Sequence, residues 1–284
     1  MDKKEIRERF AVMNNAYRRY PFSYFLDSME QLGFNQIDLW GGSPHFYAPE
    51  MTEKKVQALR RELRERGMKL ISYTPEVIGY PYDLAAENPG LRQRSVDYFR
   101  QNLEIADALE IPVLLICPGF CEQDRPREQA LLRMEESLQA LLEYAGDLSV
   151  RLAVEHLTKA SSNLVNRSED LAGMLRRLGT ETEDRLGCVL DLGQMSVFGE
   201  TVEDFFDVLG KQIFLVHMMD GTPGGHLAFG DGRLPLESYY RQLHRAGYQG
   251  PVTLEINDRR YTPDPHSAIS RCIKAMEAWQ EVQG

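Results

Sequence analysis

Four residues whose side chains bind metal ions stand at or near the ends of apolar segments in the second half of the chain. Glu155 ends the segment LAVE and Asp191 ends CVLD. Glu255 ends VTLE, and His217 lies near the end of FLVHM. A carboxylate at the end of an apolar strand lies where burial is costly unless a partner compensates its charge. Each residue follows the previous one by about one strand and one helix, so the pattern predicts four side chains that meet at one place.

Two glutamates, one aspartate and one histidine form a hard donor set in which oxygen predominates. Such a set suits Mn²⁺, Co²⁺ or Mg²⁺ better than a metal that prefers thiolates, and Zn²⁺ is also compatible with it. We expect a divalent ion, with Mn²⁺ as the first choice. A single carboxylate at a strand end is more often a loop anchor or a helix cap, so the prediction depends on all four residues together.

The segments that would position these residues recur eight times. Between them lie helical patterns such as residues 53–67, in which Val56, Leu59 and Leu63 share one face. Alternating strands and helices predict a parallel sheet, and eight units favour a closed barrel over an open doubly wound sheet. We therefore predict an α/β protein with a (β/α)8 TIM-barrel fold, as a single domain over residues 1–284. The eight apolar runs are residues 9–13, 36–40, 70–74, 113–117, 151–156, 186–193, 213–218 and 251–256.

Composition places the chain among soluble globular proteins. Hydrophobic residues make up 43% and charged residues 27%, and no apolar run reaches the roughly 18 residues of a membrane-spanning helix. The charged N-terminus MDKKEIRERF lacks the apolar core of a secretory signal, so we expect a cytoplasmic protein without a membrane partner. A net charge of -10 without a basic stripe argues against nucleic acid as a partner. The four cysteines show no paired zinc spacing.

Longer motifs carry a more specific resemblance. They are IDLWGGSPHFYAP (37–49), YTPEVIGYPYD (73–83), VEHLT (154–158) with SSN (161–163), VLDLG (189–193), VHMMDG (216–221), HLAFGDGRLPL (226–236) and TLEI (253–256). Through nearly its whole length the chain resembles the xylose-isomerase-like sugar isomerase and epimerase superfamily. Within it, the chain is most similar to fructoselysine 3-epimerases and more distantly similar to tagatose and psicose 3-epimerases.

The resemblance implies a metal-dependent sugar epimerase. It makes Glu155, Asp191, His217 and Glu255 the metal ligands, and it makes the two glutamates the acid/base pair as well. One glutamate would remove the proton from C3 of a ketose or ketosamine, and the divalent ion would stabilise the resulting cis-enediolate. The other would return a proton to the opposite face. The resemblance also implies a homodimer or homotetramer and a small sugar as substrate.

Further side chains in the loops after strands two, three, six and seven are expected to contact the sugar. For several of them a structural role is an equal alternative. His156 follows Glu155 directly, so on a strand it should face the opposite way, and we expect it to have a structural role. The expected substrate contacts are Trp40, His45, Glu76, Tyr80, Gln194, Asp220 and His226.

Three departures from the resemblance concern the substrate. Ser161 stands where relatives often carry a glutamate, and Gln194 and Pro223 stand where free-ketose epimerases tend to carry a histidine and an arginine. Ser161 removes a hydrogen-bonding carboxylate toward the substrate, and the loss of both the histidine and the arginine weakens the case for a simple free hexulose. An aldose-ketose isomerase, or a dehydratase or lyase acting on a keto sugar or 3-oxo-glycoside, stays open on the same metal site. A nuclease of the endonuclease IV type and a non-catalytic sugar-binding protein are disfavoured.

Overall fold

Eight parallel strands close into a barrel in the computed structural model of the chain, which describes residues 1–179 and 184–279. Each strand pairs with its sequence neighbours, and β1 pairs with β8. The predicted (β/α)8 barrel is therefore confirmed, and residues 180–183 and 280–284 of the predicted domain lie outside the described residues. The strands are β1 (Phe10–Met13), β2 (Gln36–Gly41), β3 (Lys69–Pro75), β4 (Val113–Ile116), β5 (Arg151–Glu155), β6 (Leu186–Asp191), β7 (Ile213–Met218) and β8 (Val252–Leu254).

Helices follow the strands and surround the barrel. Two of them, α7 and α8, lie between β6 and β7, and α1 precedes β1. None of the helices in the described part of the chain has the length and apolar character that crossing a membrane requires. The helices are α1 (Lys3–Arg9), α2 (Phe22–Leu32), α3 (Glu53–Glu65), α4 (Pro89–Ala108), α5 (Arg127–Tyr144), α6 (Ser168–Leu178), α7 (Leu192–Val197), α8 (Val202–Leu209), α9 (Leu236–Arg245) and α10 (Pro265–Glu277).

Apolar side chains fill both surfaces of the barrel wall. A small cluster that includes Ala11, Leu115 and Phe214 fills its interior, and a larger cluster packs between the strands and the helices. Strands covered on both faces must be apolar nearly throughout, which explains why they appear in the sequence as continuous apolar runs. The barrel is thus a packed core rather than a pore. Polar side chains collect at the carboxyl ends of the strands, where the loops create room for a site.

Candidate metal centre and active site

The four predicted ligands converge at the carboxyl end of the barrel. Glu155 and Asp191 are the last residues of β5 and β6, His217 lies in β7, and Glu255 directly follows β8. One potential ligand atom from each lies within 4.8 Å of those of the other three. Asp191 and His217 are direct partners in the register of β6 and β7. Because each residue stands on its own strand, closure of the barrel sets the distances between the ligands.

The imidazole of His217 is the centre of this cluster. Its Nδ1 atom lies 3.0 Å from Oε1 of Glu155 and 3.1 Å from Oε2 of Glu255. Nδ1 nevertheless has no hydrogen-bond partner of good geometry, and the same is true of the buried Oδ2 atom of Asp191. Lone pairs from an imidazole and several carboxylates face one small space. Such a donor set fits a divalent cation.

Asp38, which the sequence analysis did not single out, fixes the orientation of His217. The Nε2 atom of His217 lies 3.2 Å from Oδ2 of Asp38, and both side chains are buried. Thr253 and Thr74 also donate hydrogen bonds to this carboxylate, at 3.0 and 3.1 Å. A carboxylate behind a ligating histidine holds the proton on the far nitrogen and leaves the near nitrogen free for the metal. The signal available in the sequence was a charged residue inside the apolar strand QIDLW.

Burial and mutual repulsion shift the pKa values of the ligands. Burial raises the pKa of Glu155, and it raises that of Asp191 to about 7, with Glu155 and Glu255 adding to the effect. Burial also acts to raise the pKa of Glu255, but His226 and His217 outweigh it, and the pKa is lowered. For His217, burial lowers the pKa, but the neighbouring carboxylates of Asp38, Glu155 and Glu255 outweigh it and hold the pKa well above the usual value. A raised pKa favours the protonated form of a group, and a bound divalent cation would displace such a proton.

His156 supports the strand that carries Asp191, as expected from its position. It is fully buried, and its Nε2 atom accepts a hydrogen bond from the backbone N–H of Asp191 at 3.2 Å. Its Nδ1 atom faces the carbonyl of Asn166 at 3.4 Å, and its ring packs against Phe205. Burial lowers its pKa to about 4, so the ring is neutral at pH 7 and able to accept this bond. We therefore assign His156 a structural role.

A cavity of about 400 Å³ opens above the four ligands. Four of the predicted substrate contacts line it: Trp40, Glu76, Gln194 and His226. Trp40 donates from Nε1 to Glu76 at 2.9 Å, and burial raises the pKa of this glutamate. Gln194 accepts from the backbone N–H of Thr158 at 2.8 Å, and His226 Nδ1 lies 3.8 Å from Oε1 of Glu255. We call this cavity the metal pocket.

Two of the other predicted contacts do not line the metal pocket. His45 accepts from Asn14 at Nδ1 (3.0 Å) and donates from Nε2 to the carbonyl of Tyr20 (2.8 Å), so both ring nitrogens have protein partners. Tyr80 packs against the ring of Tyr47, with 5.1 Å between the centroids, and lines a neighbouring cavity instead. The ring of His45 thus positions the loop after β2, and a direct contact of His45 or Tyr80 with the sugar stays a prediction.

Asp220, the third such residue, organises the loop after β7 instead of facing the metal pocket. It is 3% exposed. Its Oδ1 atom accepts from the backbone N–H groups of Gly221 (2.8 Å) and Leu234 (3.0 Å), and Oδ2 accepts from Gly230 and Gly232 (both 2.9 Å). A Cβ atom at Gly232 would lie only 2.2 Å from Oδ1, so the glycine permits this approach. Both oxygens thus have partners within the loop, and the expected contact with sugar hydroxyls stays a prediction.

Other residues line the metal pocket without having been predicted. Asn15 lies with Nδ2 at 3.5 Å from Oε1 of Glu255, and Asn257 and the half-buried Arg18 complete that side of the wall. Asn15 and Arg18 follow β1, whose loop the sequence motifs did not cover. Ser161, noted only as a departure from the resemblance, lies on the opposite side.

Replacing Asp220 tests its role in the loop. In Asp220→Asn the amide NH₂ must face two backbone N–H groups, which leaves buried donors without an acceptor. We expect a loss of about 2–4 kcal/mol in the free energy of unfolding, measured by urea denaturation. Asp207→Asn, an exposed change in α8, should cost less than about 0.5 kcal/mol. Equal stability of the two variants would contradict the assignment.

A cation that binds the folded protein alone should stabilise it. At a Mn²⁺ concentration of about 100 times Kd the gain is about 2.7 kcal/mol, which for a chain of this size raises Tm by about 5 °C. Asp191→Asn removes a charged ligand and should abolish most of the shift, whereas Asp207→Asn should keep it. A chelator should reverse the shift in the wild type. A Tm that does not respond to Mn²⁺, Co²⁺, Mg²⁺ or Zn²⁺ would argue against the metal centre.

The affinity for the cation should increase with pH. The pKa of Asp191, raised by burial and by the neighbouring glutamates to about 7, means that a proton competes with the cation below that pH. The Kd for Mn²⁺, measured by calorimetry, should fall by up to about tenfold per pH unit between pH 5.5 and 7. It should continue to fall above pH 7 until His217, whose pKa the neighbouring carboxylates raise against the effect of burial, has lost its proton. In Asp191→Asn the affinity should be weaker and its dependence on pH smaller. An affinity that is constant across this range would contradict the raised pKa.

Comparison with known proteins agrees with this geometry. The family model described as xylose isomerase-like TIM barrel matches residues 26–279. The fructoselysine 3-epimerase of Escherichia coli O157:H7 is 29% identical over 243 residues, which cover 85% of this chain and 87% of that protein. A solved D-tagatose 3-epimerase-like protein aligns with a TM-score of 0.78 at 17% identity, over 95% of this chain and 98% of its own.

A second solved structure, the IOLI protein with a bound zinc atom, aligns with a TM-score of 0.77 at 16% identity, over 96% of this chain and all of its own. These likenesses confirm the barrel fold, and the sugar epimerases among the relatives bear out the expectation of an isomerase-type enzyme. The resemblance inferred from the motifs is thus confirmed. The chain belongs to the xylose isomerase-like TIM barrel family.

Proposed function

We propose that the protein is a metal-dependent epimerase that inverts C3 of a ketose or ketosamine, with Glu155 and Glu255 as the acid/base pair. The observation that carries the proposal is the approach of both glutamates to His217 Nδ1, at 3.0 and 3.1 Å, in the lining of a pocket large enough for a sugar. The similarity to fructoselysine 3-epimerase supports the reaction class and the ketosamine substrate.

The four ligands would hold the cation, and we propose Mn²⁺ because oxygen donors predominate. When bound, the cation supplies Lewis-acid polarisation of the ketose carbonyl, which makes the proton on the neighbouring carbon more acidic. Asp191 and His217 have no proton to transfer in this arrangement and act as ligands. Asp38 keeps the His217 ring oriented by accepting from Nε2.

The two glutamates differ in their readiness to hold a proton. Burial raises the pKa of Glu155, whereas at Glu255 the histidines 226 and 217 outweigh burial and lower the pKa. In one direction Glu255 therefore removes the C3 proton, and Glu155 delivers its own proton to the opposite face of the same carbon. The reverse reaction exchanges the two roles. One proton is taken up and one released, so the sugar keeps its composition and changes only its configuration.

Exchange with solvent deuterium separates the roles of the glutamates. In Glu155→Gln the remaining carboxylate, Glu255, should still exchange the C3 proton of the starting ketose for solvent deuterium. The rate of epimer formation should fall by about 10²–10⁴-fold. In Glu255→Gln the same ketose should show neither exchange nor epimer, whereas the epimer used as substrate should still exchange. NMR in D₂O measures all of these rates.

Because each glutamate is also a proposed ligand, its replacement weakens Mn²⁺ binding, so the rates are compared at a Mn²⁺ concentration that saturates the rise in Tm of each variant. Full epimerase activity in either one would contradict the proposal. Deuterium at C1 or C2 of the product would identify an aldose-ketose isomerase instead. Loss of water or of an aglycone from a keto sugar or 3-oxo-glycoside would identify a dehydratase or lyase. The cytoplasmic location and the homodimeric or homotetrameric state stay predictions from the sequence.

A further inference from the structure

A second cavity of about 370 Å³ adjoins the metal pocket on the side of β3, β4 and β5. We call it the side chamber; residues 77–84 form one wall, and Phe120 and Ala160 lie on others. The side chamber and the metal pocket share five lining residues: Val77, Ile78, Cys117, Leu157 and Ser161. The two cavities are therefore neighbouring compartments of one site, and a molecule bound at the metal can extend from one to the other.

The side chamber is held in shape by contacts between three loops. Asp83, after β3, accepts through Oδ1 from the backbone N–H of Phe120, after β4, at 3.1 Å and from that of Ala85 at 2.8 Å. Ser162, after β5, donates to the carbonyl of Gly119 at 2.6 Å. A Cβ atom at Gly119 would lie 2.3 Å from Oδ1 of Asp83. These contacts hold the walls apart at fixed positions, as expected of a preformed ligand cavity.

The wall formed by residues 77–84 is also anchored from behind. Tyr82 stacks on the buried Tyr98 with 3.9 Å between the ring centroids, and its hydroxyl meets that of Tyr47 at 2.8 Å. The hydroxyl of Tyr98 donates to the carbonyl of Glu76 at 3.2 Å. The loop after β3 therefore presents its remaining side chains, Ile78 and Tyr80, from a supported backbone.

The lining of the side chamber is mainly apolar and aromatic. Leu157 is buried beneath it, and Ile78, which borders both cavities, is 53% exposed and is one of the few large apolar side chains in the described residues that remain open to solvent. No lysine, arginine or histidine is among the described residues that line it. Its one charged side chain is Asp83, whose Oδ1 atom already accepts from two N–H groups. An anionic group would find no counter-charge here, and a cationic group would meet only this carboxylate, whose Oδ1 atom is held by the backbone.

We propose that the side chamber binds an uncharged apolar group, aromatic or alkyl, carried by the ketose whose carbonyl sits at the metal pocket. The inference rests on the proposed function, because the ketosamine class offers such a group on the nitrogen at C1. An aromatic ring of benzyl size fits a cavity of this volume and gains apolar contacts there. A free ketose has no such ring and gains none of these contacts. The apolar group takes no part in the reaction, but its binding determines which sugar the enzyme accepts.

The test compares fructose, 1-deoxy-1-(benzylamino)fructose, fructoselysine and fructose 6-phosphate as substrates of the Mn²⁺-loaded enzyme, by C3 deuterium exchange in D₂O. We expect kcat/KM for the benzylamino ketose to exceed that for fructose by more than about tenfold, with the lysine adduct and the phosphate below it. Ala160→Phe places a ring in the side chamber and should bring the benzylamino-to-fructose ratio close to one. Lys159→Phe, at an exposed neighbouring position that lines neither cavity, is the matched control and should keep the ratio.

Equal kcat/KM values for the benzylamino ketose and fructose, preference for the phosphate or the lysine adduct, or an unchanged ratio in Ala160→Phe would each overturn the proposal. Binding measured by calorimetry separates this failure from failure of the proposed function. If no ketose exchanges its C3 proton, the proposed epimerase function is wrong. Tighter binding of the benzylamino ketose than of fructose, lost in Ala160→Phe, would still support the proposal that the side chamber binds an apolar group. Equal binding of the two ketoses would overturn it independently of turnover.

Discussion

Concentrated negative charge at one end of the barrel is the constraint on which the site depends. Glu155, Asp191 and Glu255 face one imidazole in a largely buried space, and Asp38 lies behind that imidazole. Carboxylates this close repel one another, and burial removes the water that would screen them. The cluster is stable only with protons or a cation between the carboxylates. A fold that supplies four strand ends side by side can hold such a cluster, because each charge is fixed to a different rigid element.

The layer behind the ligands determines how well they are oriented. Asp38 leaves the Nδ1 atom of His217 free, and His156 accepts from the backbone of Asp191 through a ring that burial keeps neutral. Asp38 lies in β2 and His156 directly follows β5, and both support strands that carry the candidate ligands. Asp220 has the corresponding role outside the wall, where its carboxylate gathers four backbone N–H groups of the loop that carries His226. Near this site, charged side chains therefore form the candidate ligand set, orient a ligand or hold a loop. Only the ligands require contact with a cation.

The sequence was sufficient to predict the strands and the convergence of the four candidate ligands because both depend on local patterns. Apolar runs define the eight strands, and a strand order equal to the sequence order then places Glu155, Asp191, His217 and Glu255 on four neighbouring strands. Asp38 was missed because its partner lies 179 positions away. His45 and Asp220 were assigned to the sugar because a polar residue in a loop looks the same whether its partner is a ligand or the protein backbone. Only the folded chain shows that their hydrogen-bonding atoms are already used.

The division between strands and loops also separates chemistry from selectivity. The two glutamates that we propose for proton transfer stand at the ends of strands whose positions are set by barrel closure, so loop changes can alter the pocket without moving them. Ser161 illustrates the point, because this small side chain borders both the metal pocket and the side chamber. A large charged residue there would narrow the passage and introduce a charge that the apolar walls do not compensate. The position at which relatives often carry a glutamate is thus, in this chain, a feature that leaves room for a ketose with an additional apolar group.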